Sequence, residues 1–370
     1  MLLAGLLVQA AHACQVCFPM PVKTLADRLL EADALVLARE DPARPFHYAV
    51  VEVLKGDSGG APPDTFLPSA DRRVLAQFPQ RHMLLARARP GGGWAALGIA
   101  DGAYERVVRQ VLEHADTWIP GETANRQRLA AFVPLLGHAD TRLHELAYLE
   151  IGRAPYSEIR RIAAAVPLET VRGMLDQPRY LEWRSLAILM LAQSERPVDR
   201  ERIRTTFADK QRLGSTFNLA AWATAYLAIE GVSGLEPIQR WYLERPERSR
   251  EELREIVKAL SVMAGAEAAL REPVAAGYRA LLGTHPSLAA DVTRDLIAWR
   301  RWDFAEQLRD IRNAIARQDP LGAYAIGLYL RSATSAAPAD IALPSRVETG
   351  QTPNAVERKR TSYPTIQGER

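Results

Sequence analysis

The chain of 370 residues has only two cysteines, Cys14 and Cys17. Two thiols cannot build a disulfide framework, so stability has to come from packing. Long apolar runs are also missing: nothing approaches the roughly 18 consecutive apolar residues of a bilayer-spanning helix. There is no excess of one charge. The 47 Lys and Arg against 44 Asp and Glu leave +3, too little to argue for nucleic acid as a partner. Signatures of common chemistries are absent as well: no G-x-S-x-G elbow, no P-loop and no G-x-G-x-x-G occurs. Gly91-Gly92-Gly93 reads as a hairpin turn rather than a phosphate cradle. His144-Glu145 begins like a zinc helix, but Tyr148 stands where the second His is required, so His138 and His144 read as cap or surface residues. Phe18 replaces the His that c-type haem attachment needs after C-x-x-C. The Asp and Glu residues converge in no readable pair. The expectation is a non-enzymatic protein without catalytic residues.

What is present is ordinary globular material, 48% hydrophobic and 25% charged. The length exceeds one core, so two domains with unstructured ends are expected. Residues 1–13 are a short apolar leader ending Ala11-His12-Ala13, with small residues at the third and first positions before a cut. That pattern predicts a signal peptide, a mature chain starting at Cys14, and a periplasmic or secreted location. In an oxidising compartment Cys14 and Cys17 have three readings. One is a structural disulfide or an unpaired dithiol. The second is metal capture, two thiolates and the new α-amino group offering three ligands to Zn or Cu. The third is thiol exchange, against which Pro19 and Pro21 count, because no strand precedes the pair and no helix opens on it.

Residues 14–103 are expected to be a small β-rich domain. Thr24 caps a short helix over 25–32, an apolar strand follows at 34–38, and Pro42 and Pro45 break it. Alternation predicts a strand over 46–54, Lys55-Gly56 ends it, and a polar loop follows. Residues 82–89 and 94–100 form a hairpin around the glycine triplet. The leading Cys pair, Leu29-Leu30-Glu31-Ala32-Asp33-Ala34-Leu35-Val36-Leu37 and Tyr48-Ala49-Val50-Val51-Glu52-Val53-Leu54-Lys55-Gly56 together resemble the netrin-like module of tissue inhibitors of metalloproteinases. The resemblance covers roughly residues 14–100 and implies an OB-like β-barrel and protease inhibition by the Cys14 end. The family ties its early cysteines to later ones, and this chain has no later cysteine.

From Tyr104 the hydrophobic period changes from two to 3.6. Residues 104–124 are expected to be a helix and linker. Residues 125–332 repeat a helix-turn-helix pattern. Asp140 caps a stripe of Leu143, Leu146, Ala147 and Ile151; Pro155 opens a partner stripe of Ile159, Ile162, Ala163 and Val166. Residues 181–191 and 216–229 are apolar nearly all round, which predicts helices enclosed by neighbours. Ser249 to Glu252 is a capping box that starts another helix. The units recur at about 31–40 residues, as in stacked helical pairs. This region resembles HEAT-like and armadillo-type repeat proteins, which implies architecture and no catalytic residue. Residues 333–370, rich in Ala, Ser, Thr and Pro, are expected to be a disordered tail. The fold class read from sequence is therefore a multidomain α and β protein, a small N-terminal β-barrel followed by an α-α solenoid.

Aromatic residues and arginines gather at Trp241-Tyr242 and at Trp299-Arg300-Arg301-Trp302, with Arg309 and Arg312 close behind. Either the rings fill inter-helix grooves under arginine stems, or they form a binding face for a protein or peptide partner. The function expected is an exported scaffold that binds protein through its helical-repeat surface. The alternatives are a thiol or metal protein acting through Cys14 and Cys17, or an inhibitor-like module.

Overall fold

Thr24 starts the first helix through a capping box. Its hydroxyl accepts the Asp27 N–H while the Asp27 carboxylate accepts the Thr24 N–H, opening α1 (Leu25–Glu31). The computed structural model describes residues 23–58 and 64–336. The expected leader, Cys14, Cys17 and the tail beyond residue 336 lie outside the described residues. After α1 come β1 (Ala34–Asp41), β2 (Arg44–Lys55), the helix α2 (Ser69–Gln77), β3 (His82–Arg87) and β4 (Trp94–Ala100).

The four strands form one antiparallel sheet in the order β2-β1-β3-β4. β1 lies inside it, which is why its run of apolar residues is buried on both faces. Leu35, Leu37, Leu84 and Ala86 face the helices, while Val36, Ala38, Met83 and Leu85 pack with Tyr48 and Leu67 on the other side. Among the described residues the sheet does not close, so the expected OB-like barrel is corrected to an open sheet with β2 and β4 as edges. The reason is the cover: α1 and α3 (Gly102–Glu113) pack together over one face, and that cover buries apolar surface without strand closure. At the end of β2, Gly56 has φ +66°, and a Cβ there would stand 2.1 Å from the Asp33 carbonyl oxygen, so glycine is required. The neighbouring Lys55 donates to the carbonyls of Leu29 and Leu30 at the C-terminal end of α1. The loop expected after Gly56 contains α2, whose side chains are nowhere buried and therefore leave no apolar stripe to read.

The rest is helical: α4 (Arg126–Phe132), α5 (Thr141–Gly152), α6 (Tyr156–Ala163), α7 (Leu168–Asp176), α8 (Arg184–Leu191), α9 (Pro197–Leu213), α10 (Leu219–Glu230), α11 (Leu235–Ile238), α12 (Arg250–Ala266), α13 (Arg271–Thr284), α14 (Ala289–Ala298), α15 (Ala305–Ile315) and α16 (Pro320–Ala336). Every second helix packs on the next, α4 on α6, then α8, α10, α12, α14 and α16, with the alternate helices alongside. α10 is enclosed by α8, α9 and α12, as its all-round apolar sequence predicts. α9, unread from sequence, buries only Ile203, Phe207 and the polar Asp199, too few apolar positions to carry a period. α16 runs to Ala336, past the expected boundary at Ser332. No described helix is long and apolar enough to cross a membrane.

The N-terminal unit and the helices share one continuous apolar cluster, from Ala26 to Tyr329. At its centre lie four buried charges. Arg128 of α4 donates Nε and Nη2 to the two oxygens of Glu150 at 3.0 and 2.9 Å, and Nη2 also to Asp27 at 2.8 Å. Arg153, the C-cap of α5, donates to Asp27 at 2.5 Å and to Glu150 at 3.3 Å. The Gly121 N–H adds a bond to Asp27 at 2.9 Å. Burial pushes the Asp27 carboxyl up, but the bonds from Arg153, Gly121 and Arg128 outweigh it and hold the group well below its ordinary value.

Removing one member leaves the opposite charge buried and unpaired, so Arg128→Ala should cost about 3–5 kcal/mol in urea unfolding. The Asp27 contribution is present above the ordinary carboxylate value of 3.8 and is lost as pH falls below it. Asp27→Asn should therefore be less stable at neutral pH and show a flatter loss of stability on acidification, read from urea midpoints across the acid range.

Candidate functional site

The aromatic and arginine residues singled out from sequence divide between core and surface. Tyr242 is fully buried, stacked on Phe207 at 6.0 Å with Arg248 over its other side, so the expected docking residue is corrected to a core residue. It is buried because α11 runs into one π-helical turn, Gln239–Leu243, which directs Tyr242 toward α9 and α13 and leaves Trp241 partly covered against Phe207. Trp299 stacks parallel on Tyr278 at 5.9 Å. Arg300 is exposed in a left-handed conformation, φ 56°. Arg301 is held by Asp303 and Glu272, and its carbonyl accepts the Tyr329 hydroxyl. Trp302 packs on Tyr329 at 5.5 Å and presents its remaining surface to a trough.

That trough, about 890 Å³, runs between α15 and α16. Trp302, Ala305, Leu330 and Ala333 give it an apolar base, and Arg309, Arg312 and Arg331 line it with no Asp or Glu among the lining residues. Arg309 and Arg312 share a face of α15 because they are three residues apart. Among the described residues none of the three has a carboxylate partner, although Arg279 and Arg301 nearby both do. A Cβ at Gly327 would lie 3.5 Å from Arg331 Nη1 and 3.7 Å from Arg312 Nε, so two guanidinium groups converge over a floor without a side chain. Two cations that close repel by roughly 0.5 kcal/mol in water, and by more where solvent is partly excluded.

Beside the trough, α16 carries an apolar stripe that is left exposed among the described residues. Leu321, Tyr324 and Leu328 are 82%, 62% and 41% exposed and fall on one side of the helix at intervals of three and four. Arg331 joins the two features, its guanidinium 5.8 Å from the Tyr324 ring centre. Arg331, Gly327 and the stripe were missed from sequence. The α16 pattern reads as a helix apolar on several sides, and only the identity of its neighbours tells which side is left bare.

Other candidates are satisfied internally. A hollow of about 300 Å³ between the β1–β2 hairpin and α2 is lined by Arg39, Arg72 and Arg81, but Arg72 is bound to Glu40, Arg81 pairs with Asp101 and Arg39 donates to the Pro79 carbonyl. His138 accepts the Asp140 N–H at the start of α5. His144, expected at the surface, is fully buried against Tyr180 and Trp183, because α5 turns it toward the 3-10 segment Pro178–Trp183. Its Nδ1 donates to the Leu136 carbonyl and its Nε2 has no partner. Burial lowers its pKa to about 4, so it is neutral. Among the described residues no group of three or more His, Cys, Asp or Glu could hold a metal ion; the Zn or Cu reading at Cys14 and Cys17 lies outside them. The chain matches no known family model, no curated protein and no solved structure.

Two outcomes follow from these charges. Because unfolded His144 binds a proton near 6.5 and folded His144 only near 4, its contribution to stability is lost as pH falls through that window, by up to roughly 3 kcal/mol. His144→Phe should flatten the stability profile between those values, measured by urea unfolding. Arg331→Gln should raise stability by a few tenths of a kcal/mol at low salt through relief of repulsion, and the gain should vanish at high salt, measured by thermal melting.

Proposed function

We propose that this protein is an exported, non-enzymatic scaffold whose helical region, an α-solenoid of HEAT-like pairs, binds another polypeptide at its C-terminal end. The observation that carries the reading is the bare apolar stripe on α16. In a row of stacked helices each member covers the one before it, and the last ordinarily presents a polar outer face. Here the last described helix exposes Leu321, Tyr324 and Leu328 instead. The serial packing of α6, α8, α10, α12, α14 and α16 supports the solenoid reading. Export rests on the Ala11-His12-Ala13 pattern before Cys14.

A second copy is a poor occupant. A two-fold contact with its axis through the trough would bring Arg331 and Arg312 of one chain toward the same arginines of the other. The occupant proposed is a different polypeptide with an apolar face of its own.

Full-length protein carrying Leu321→Glu and Tyr324→Glu should keep its circular dichroism and melting behaviour, since both side chains are exposed, and should lose a partner that the wild type retains in cross-linking. Retention of every cross-linked partner by the double variant would defeat the reading. So would concentration-dependent self-association that the variant abolishes, since the stripe would then belong to a dimer.

A further inference from the structure

We propose that the trough between α15 and α16 receives an acidic stretch of the docked polypeptide, with carboxylates seated between Arg312 and Arg331 over Gly327 and a further one at Arg309. The inference rests on the docking reading above and adds the chemistry of the partner.

Three observations converge on it. First, the like charges are left uncompensated. Several exposed arginines elsewhere are paired with carboxylates, as Arg279 is with Asp303 and Arg204 with Glu230, although others, such as Arg39 and Arg300, are not among the described residues. In the trough three arginines stand together and no Asp or Glu lines it. Second, the geometry is that of a receptor. Arg331 Nη1 and Arg312 Nε lie 3.5 and 3.7 Å from where a Cβ at Gly327 would stand, so both guanidinium groups reach one region and can donate to one anion. Third, the site is amphipathic. The base is Trp302, Ala305, Leu330 and Ala333, and Arg331 connects it to Tyr324 of the stripe. A ligand that satisfies both surfaces alternates carboxylates with apolar side chains.

These features favour an acidic peptide over the other anions. A nucleic acid strand needs a continued basic track along its phosphates, and two of the arginines nearby, Arg279 and Arg301, are already paired with carboxylates. Inorganic phosphate would leave the apolar base uncovered, and about 890 Å³ is far more room than one ion fills. The chain's own residues 337–370 hold four acidic and five basic side chains, so they lack the required excess of negative charge.

The test is fluorescence anisotropy with the full-length chain and a short labelled peptide alternating Glu with Leu, against the same peptide with Ser in place of Glu. The Glu peptide should bind and the Ser peptide should not, with affinity falling steeply as salt rises. Arg312→Gln and Arg331→Gln should each weaken binding roughly threefold, and the double variant about tenfold, with a shallower salt dependence. All these side chains are exposed, and a cooperative melting transition no lower than that of the wild type would show that the variants are folded. Arg294→Gln, at an exposed position outside the trough, should bind like the wild type. Equal binding of the Glu and Ser peptides, or no effect of the double variant, would overturn the proposal. Tighter binding of a single-stranded oligonucleotide at the same arginines would also overturn it. The two readings fail separately: retention of every cross-linked partner by the stripe variant, with Glu-peptide binding intact, defeats docking and leaves the acidic site standing, whereas loss of the partner in that variant with no binding of the Glu peptide defeats the acidic site alone.

Discussion

Asp27, Arg128, Glu150 and Arg153 are all but inaccessible to solvent, yet each carries charge. Such a group survives burial only if its partners are in place, because desolvation costs more than any one contact returns. Here two cations face two anions, and the capping box at Thr24 and the Gly121 N–H fill the remaining directions of Asp27. The arrangement fixes the first helix against α4 and α5, whose residues lie more than a hundred positions away in sequence for Arg128 and Arg153. The small sheet is thereby part of the same body as the helical row. Its helical face is closed by α1 and α3, and an open sheet suffices.

From that fixed end the row of helices extends by one rule. Each helix hides its apolar side on the next, as α10 does between α8 and α12 and α14 does on α16. Among the described residues the row stops at α16, which no later described helix covers, and the arginines lining the trough of α15 and α16 have no carboxylate among the lining residues. The surface there is apolar in one strip and cationic in the next.

Much of this was readable in the residues. The N-cap at Thr24, the capping box at Ser249, the hairpin at Gly91-Gly92-Gly93, the change of period at Tyr104 and the enclosed character of α8 and α10 are local signals, and the structure carries all of them. The misses share a cause. α2 and α9 bury too few apolar residues to impose a period, Tyr242 and His144 change sides through a π-helical turn and a neighbouring 3-10 segment, and the barrel expectation treated strand count as closure. For the candidate site, Trp302, Arg309 and Arg312 were legible as a cluster near one another in sequence. Arg331 and Gly327 were not, because they arrive from the next helix.

By itself the sequence determined where most of the helices and strands begin, and that the chain would be mostly helical behind a short β-rich segment. Capping, turn chemistry and hydrophobic period act over a few residues, and so they can be read without knowing the fold. Tertiary structure alone decided which charges are answered and which stand bare. Asp27 and Arg153 are neutralised, while Arg312 and Arg331 are not, and no local pattern distinguishes the two pairs. The distinction depends on the chain partners that reach each group, and electrostatic energy is set by distance in space rather than by separation along the chain.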